Sequence, residues 1–199
     1  FSAAFPSISH EYMFEVLRHL NTPVEIINVI SALYFDNSCE ISVHGISFLG
    51  FLLTSGVRQG CPLSPLIFVL SVDMLLRTLE RIDGITTRAF ADDIGLVMDN
   101  FHLNYLRVFD IFQRFAKVSN LYLNLPKTVI VPLWPKGIKE TKYKLQSQSE
   151  HSMEHRRLLL TVEIASHGRY HGFMEGPGKR DHSWDKPLTK YEHAARIWA

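Results

Sequence analysis

An α+β fold follows from three features of the sequence. Helical periodicity appears early, with Met13, Val16, Leu17 and Leu20 at i, i+3, i+4 and i+7. Paired apolar runs flank short turn signals, at His44-Gly45 and again at Asp92-Asp93. The helices and hairpins do not alternate strictly, which argues against a doubly wound parallel sheet.

The elements follow in order. Residues 1–5 are a short apolar piece able to end a strand. Ser9 is placed to cap a helix through Leu20. Thr22-Pro23-Val24-Glu25 reads as a capping box with Pro at the first helical position, opening a second helix to about Tyr34. Cys39–Val43 and Ile46–Leu53 form a hairpin around His44-Gly45. A loop, Thr54–Pro62, precedes a very apolar helix from Ser64-Pro65 to about Ile82. That helix needs cover, because its stretch Leu66–Leu79 is apolar nearly all round. Asp83-Gly84 is a turn. Strands Ile85–Ala91 and Ile94–Met98 leave Asp92-Asp93 between them. Asn100 is placed to cap an amphipathic helix to Val118. Leu121–Leu133 reads as two short strands broken by Pro126.

Composition shifts at Trp134. Residues 134–157 are polar and basic, a linker or an exposed helix. Leu158–Ile164 and Arg169–Met174 are strand candidates around a turn at Ser166–Gly168, Gly176-Pro177-Gly178 is a loop, and Lys186–Ala199 is a helix. The domain division expected is therefore 1–133, 134–157 and 158–199.

The chain is 46% hydrophobic and 21% charged, which suits a globular core and excludes wholesale disorder. It has no apolar run of about 18 residues, so no transmembrane helix is expected. The start, Phe-Ser-Ala-Ala-Phe, has no basic n-region and no Met. It reads as a chain whose true start lies upstream rather than as a signal peptide. Cys39 and Cys61 have no metal-ligand spacing and make no disulfide framework. Residues 1–133 hold 9 Lys and Arg against 12 Asp and Glu, whereas residues 134–199 hold 12 against 8. Bulk charge therefore does not make the first part a phosphate-binding platform.

Two stretches carry candidate chemistry. In Phe90-Ala91-Asp92-Asp93-Ile94, adjacent carboxylates sit at a hairpin tip. Crowded carboxylates resist joint ionisation unless a cation neutralises them, and divalent ions held by such oxygens can drive phosphoryl chemistry. The alternative is a solvated turn. In Thr54–Pro65, backbone at Gly56 and Gly60 can approach a substrate closely. Arg58 can meet phosphates with its planar fork, and Gln59 can offer an amide to a sugar or base. The alternative is a helix-entry loop. His151-Ser-Met-Glu-His155 matches an H-x-x-E-H zinc-protease pattern, but its polar surroundings and the lack of a third ligand at a telling spacing favour an exposed basic segment. In the tail, Lys179, Arg180, Trp184, Lys186, Lys190 and Tyr191 interleave bases with aromatics. They suit either nucleic-acid contact or a solvated amphipathic helix.

Gly56-Val-Arg-Gln-Gly-Cys-Pro-Leu-Ser-Pro65 resembles the central motif of non-LTR retrotransposon reverse transcriptases. Phe90-Ala-Asp-Asp93 is similar to their catalytic tetrad, at the expected distance downstream. Leu121-Tyr-Leu-Asn-Leu-Pro-Lys-Thr128 resembles the next motif. Arg169-Tyr-His-Gly-Phe173 resembles the Tyr-Leu-Gly element, with His171 in place of the usual Leu. Phe1-Ser-Ala-Ala-Phe5 is similar to Asp-x-x-x-Ala-Phe without its Asp, and Pro6 stands where relatives often have another Asp. The series covers residues 1–173.

The resemblance implies a polymerase palm, an antiparallel sheet packed on helices, with fingers missing and a thumb-like region beginning near the C-terminal end. It implies Asp92 and Asp93 as ligands of two Mg²⁺ ions, Asp92 the more critical. It places Phe5 where an aromatic blocks a ribose 2′-hydroxyl, with a core aromatic as the alternative. It places Gln59 beside the nucleotide and template, with Arg58 and Gly60 in the same motif. It gives Lys127 a role toward the leaving pyrophosphate, with a surface lysine as the alternative. Partners implied are an RNA template, a DNA primer and deoxynucleoside triphosphates. Nuclear work is implied only for an active element. The family's first metal-binding carboxylate would directly precede Phe1, so residues 1–199 alone are expected not to polymerise. The competing readings are a non-catalytic remnant that binds RNA or partners, and an RNA-dependent RNA polymerase. Phe5 and the Phe-Ala-Asp-Asp tetrad argue against the last.

Overall fold

The computed structural model describes residues 1–134, 137–147, 161–179 and 182–198. They fall into two compact units. The first holds Phe1–Asp99 and Arg107–Leu123, and the second holds Asn100–Leu106 and Asn124–Ala199. Helices and small sheets mix as expected of an α+β chain. The described strands form four separate two-stranded sheets rather than one continuous sheet.

In the first unit, α1 (Ala4–Ser7) replaces the strand end expected at residues 1–5. Pro6 explains the change: it has no N–H for a ladder but suits the first turn of a helix. Then α2 (His10–His19) starts at Ser9, whose side chain accepts from the Tyr12 N–H at 3.3 Å. It closes in a Schellman arrangement. Asn21 is left-handed at φ +52°, while the N–H groups of Asn21 and Thr22 bond to Arg18 O and Leu17 O. Thr22 is thereby committed to closing α2. The next helix, α3 (Val24–Tyr34), starts from Pro23 with no side-chain cap, contrary to the capping box expected at Thr22.

The hairpin β1 (Ser38–Val43) and β2 (Ile46–Leu52) turns at His44-Gly45, both with positive φ, as a type I′ turn requires. α4 (Ser64–Glu80) begins with Pro65 in its first turn. It buries Ile67, Phe68, Ser71, Val72, Leu75 and Leu79 on one side. Leu66 and Val69 remain exposed, so the cover is one-sided.

β3 (Ile85–Phe90) and β4 (Asp93–Met98) are antiparallel, with Phe90 opposite Asp93. Ile85 and Thr87 are buried, and Ile94, Leu96 and Met98 pack on the core from the same face. Thr87 Oγ1 donates to Glu80 Oε1 at 2.6 Å. From Arg107 onward, α5 (Phe101–Ser119) adds Val108, Phe112 and Phe115 to this core.

Residues 121–133, which lie in the second unit from Asn124 onward, do not make two strands. Asn124 accepts from the Lys127 N–H and caps a 3₁₀ turn, Leu125–Lys127. Only β5 (Val129–Ile130) follows, parallel to β6 (Glu163–Ile164). α6 (Gly137–Ser147) forms within the basic segment, and it buries Thr141 and Leu145. The strand expected at Arg169–Met174 folds back on itself as β7 (Gly168–Tyr170) and β8 (Phe173–Glu175). Its turn is His171-Gly172, at φ +54° and +88°. α7 (His182–Trp198) starts earlier than expected and carries Pro187 inside it. The His151–His155 pattern lies outside the described residues. No helix among the described residues is long and apolar enough to cross a membrane.

Candidate functional site

The N-terminal segment is stitched between two others in the first unit. On one side, the Gly56 N–H donates to Ile8 O at 2.7 Å and the Val57 N–H to Phe5 O at 2.8 Å. Ser9 and Ser55 form an antiparallel bridge, and a ring nitrogen of His10 lies 2.8 Å from Gly56 O. On the other side, the Ser2 N–H donates to Tyr122 O at 2.9 Å, the Ser9 N–H to Ser119 O at 2.8 Å and Asn120 Nδ2 to Ser7 O at 2.8 Å. Backbone hydrogen bonds of this kind satisfy groups that could not otherwise be buried. Three stretches far apart in sequence thus meet around residues 1–9.

This stitching creates a cleft of about 420 Å³ lined by Phe5, Arg58, Gln59, Gly60, Cys61, Pro62, Ser64 and Pro65. All four residues expected at a substrate site from the sequence therefore share one cavity. The Phe5 ring stacks on the buried Phe68 ring, with centroids 4.5 Å apart and planes 15° from parallel. Phe5 thus packs against the core through Phe68 and also lines the cleft. Arg58 is exposed, and its Nη2 donates to Asn37 Oδ1 at 3.1 Å. Gly60 has φ +84° and open space where a side chain would begin.

Four further lining residues were not singled out from the sequence. Cys61 is partly exposed. The Leu63 backbone N–H, then Ser64 and the Arg58 charge, hold its thiol pKa below the ordinary value, against some desolvation. Ser64 is 2% exposed. The signal for these residues was their place at the start of a helix, just after the Gly-rich loop.

Asp92 and Asp93 are not among the residues lining this cleft. The turn is Ala91-Asp92, one residue earlier than the sequence suggested, and Asp93 begins β4. Ala91 takes a left-handed φ of +52°, a conformation that costs a residue with a side chain about 1 kcal/mol or more. By strand alternation, Asp93 shares the face of Gly95 and Val97, away from the core. Both aspartates are exposed, and neither carboxylate has a hydrogen bond or ion pair among the described residues. Two unengaged oxygen donors side by side suit a hard divalent cation. No group of three His, Cys, Asp or Glu able to hold a metal occurs among the described residues. Asp92 and Asp93 therefore offer two adjacent oxygen donors, without a third clustered side-chain ligand among the described residues. Lys127 belongs to the second unit, where it is exposed at the end of the 3₁₀ turn.

Comparison with known proteins bears on what this arrangement is for. Residues 1–159 match the family described as "Reverse transcriptase (RNA-dependent DNA polymerase)". The chain is 31% identical over 137 residues to a Retrovirus-related Pol polyprotein from type-2 retrotransposable element R2DM of Drosophila melanogaster. That alignment covers 65% of this chain and 13% of the relative. It is 28% identical over 203 residues to a Retrovirus-related Pol polyprotein from type-1 retrotransposable element R2 of Bradysia coprophila, covering 94% of the chain and 22% of the relative. It is 24% identical over 135 residues to the Transposon TX1 uncharacterized 149 kDa protein of Xenopus laevis, covering 63% and 10%. The chain thus spans between a tenth and a quarter of the length of these relatives.

Proposed function

Because the chain belongs to the reverse transcriptase (RNA-dependent DNA polymerase) family, in its non-LTR retrotransposon branch, we propose that it serves as the palm of an RNA-directed DNA polymerase. In this reading residues 1–133 form most of the palm, residues 134–157 link, and residues 158–199 complete the palm and begin a thumb-like region. The substrates are deoxynucleoside triphosphates, the template is RNA and the primer is DNA.

The observation that carries the reading is the convergence of Phe5, Arg58, Gln59 and Gly60 on one cleft. Phe5, held flat on Phe68, presents a wall that a deoxyribose clears and a ribose 2′-hydroxyl meets. Arg58 exchanges its neutral Asn37 partner for phosphate oxygens, a stronger, charge-assisted bond. Gln59 contacts the sugar or base, and the open backbone at Gly60 leaves room for them. Asp92 and Asp93 hold divalent cations, Mg²⁺ being suited to carboxylate and phosphate oxygens. Ions held there would supply Lewis acidity to the attacking hydroxyl and to the leaving oxygen. The primer 3′-oxygen bonds to the α-phosphorus, its bond to the bridging oxygen breaks, and pyrophosphate leaves with Lys127 supplying positive charge or a proton.

A second reading is a palm that binds nucleic acid or partners without catalysis, with Asp92 and Asp93 as an exposed, solvated hairpin turn. Primer extension separates the two. The polypeptide carrying these residues in their native context is given an RNA template, a DNA primer and either dNTPs or NTPs. Incorporation of dNTPs only, lost in Asp92→Asn, supports the polymerase. Template binding with no incorporation at any Mg²⁺ concentration supports the scaffold. Equal NTP incorporation would refute the role given to Phe5.

A further inference from the structure

We infer that Asn37 sets how tightly the Phe5–Arg58 cleft takes a polyphosphate: its neutral carboxamide holds the Arg58 guanidinium in the empty cleft and is displaced by the incoming anion.

The backbone that carries Arg58 is held on both sides. The Val57 N–H donates to Phe5 O at 2.8 Å, and the Arg58 carbonyl accepts from the Cys61 N–H at 3.3 Å. Where the guanidinium lies then depends on its side-chain partner. Arg58 lines the cleft, and its Nη2 donates to Asn37 Oδ1 at 3.1 Å. Among the described residues no carboxylate pairs with it.

Asn37 is anchored independently of Arg58. Asp36 takes a left-handed φ of +49° just after α3. The Asn37 carbonyl then accepts from the Leu53 N–H at 2.7 Å, one step beyond the Ser38–Leu52 pair that closes the β1–β2 hairpin. Carboxamide and guanidinium therefore both hang from fixed backbone, although they are 21 positions apart in sequence.

The chemistry of the pair sets the direction of its effect. A bond made in the empty cleft and lost in the filled one subtracts from affinity. Phosphate oxygens bind a guanidinium more strongly than a neutral amide oxygen does, so the exchange runs toward phosphate. A carboxylate in place of the carboxamide would form an ion pair that phosphate must first break. An apolar side chain there would leave nothing to break. That the polyphosphate is a nucleoside triphosphate rests on the polymerase reading.

The test titrates chain 1–199 with inorganic tripolyphosphate by calorimetry in EDTA, so that no metal bridges the anion to Asp92 or Asp93. Asn37→Asp and Asn37→Leu both stay close to Asn37 in size. Asn37→Asp is expected to weaken binding about ten-fold or more. Asn37→Leu is expected to tighten it roughly two- to five-fold, the worth of one neutral hydrogen bond at an exposed site. In an Arg58→Ala background the gain from Asn37→Leu disappears and the loss from Asn37→Asp shrinks, because both act through Arg58. An Asn37→Leu chain that binds no tighter than the native one overturns the proposal, as do effects that persist unchanged without Arg58. Native binding that is absent, or indifferent to Arg58→Ala, overturns it together with the phosphate role given to Arg58. The predicted order of affinities in a chain that incorporates no dNTP with Mg²⁺ supports the Asn37 assignment and sinks the polymerase reading alone.

Discussion

Gly56 stands so close to Pro6 that a side-chain carbon on Gly56 would lie 2.6 Å from the Pro6 carbonyl oxygen. This contact, with the Val57 N–H to Phe5 O bond beside it, fixes Phe5 against the loop that carries Arg58. Gly56 also has φ +87°. Gly60, four residues on, has φ +84° but nothing near where a side chain would begin. The pair separates two effects. Gly60→Ala is expected to cost only the left-handed backbone penalty, about 1 kcal/mol. Gly56→Ala adds a clash with backbone that cannot swing aside, and is expected to cost at least about twice as much. In a chain of this size each kcal/mol moves Tm by roughly 2–4 °C. Equal Tm shifts for the two variants would show that the Pro6 contact is not tight.

Asp92 and Asp93 repel each other at an exposed tip, so a divalent cation that binds them stabilises the folded chain by mass action. At a free Mg²⁺ concentration ten times Kd the gain is about 1.4 kcal/mol. A titration followed by thermal unfolding is expected to raise Tm progressively. Asp92→Asn and Asp93→Asn are each expected to weaken that response without lowering Tm in EDTA, since removing like charge from a turn costs little. A wild-type Tm indifferent to Mg²⁺, or an unchanged response in both variants, would remove these carboxylates from the cation site.

Tyr12 joins α2 to α4, its hydroxyl donating to Ser71 O at 2.9 Å. Burial pushes its pKa up from 10.0 to about 12. Because the folded pKa lies above the unfolded one, the associated stability is fully present below pH 10 and is lost as pH rises toward 12. Absorbance of ionised tyrosine is expected to show late titration from Tyr12 and from Tyr105, which burial also raises, with the Tyr12 part absent in Tyr12→Phe. That variant also loses the hydrogen bond, at a cost of about 0.5–1.5 kcal/mol near neutrality. A titration with every tyrosine ionised by pH 10.5 would contradict this placement.

Much of this architecture could be read locally. Ser9 capped the helix it was expected to cap, His44-Gly45 turned its hairpin, and Ser64-Pro65 opened α4. Each depends on residues within a few positions of one another. Thr22 misled because the end of α2 had a prior claim on its N–H. Residues 121–133 misled because the Asn124 side chain offers a turn that outcompetes a strand. At the site, the motif residues were legible as a set. The Asn37 hold on Arg58 was not, because the pair is 21 positions apart and no local pattern links them. The burial of Ser64 was hidden for the same reason, since it depends on what α4 packs against.

His102 tests the second unit. Its ring lies edge-on to Trp134, with centroids 6.0 Å apart, and neither ring nitrogen has a hydrogen-bond partner. Trp134 itself donates to Glu140 Oε2 at 3.0 Å. Desolvation, and then the Lys144 charge, hold the His102 pKa below its ordinary 6.5, with Glu140 acting weakly the other way. The unfolded chain therefore binds this proton more readily than the folded one. The contribution to stability is present above pH 6.5 and declines as pH falls through the depressed folded value. Denaturant unfolding at a series of pH values from about 7.5 to about 5, the range over which a histidine titrates, is expected to show stability falling on the acid side. His102→Phe keeps the aromatic contact with Trp134 and removes both unpaired nitrogens, so it is expected to flatten that fall and to be no less stable at the acid end. A variant that retains the full acid dependence would assign it to other groups and leave His102 a bystander.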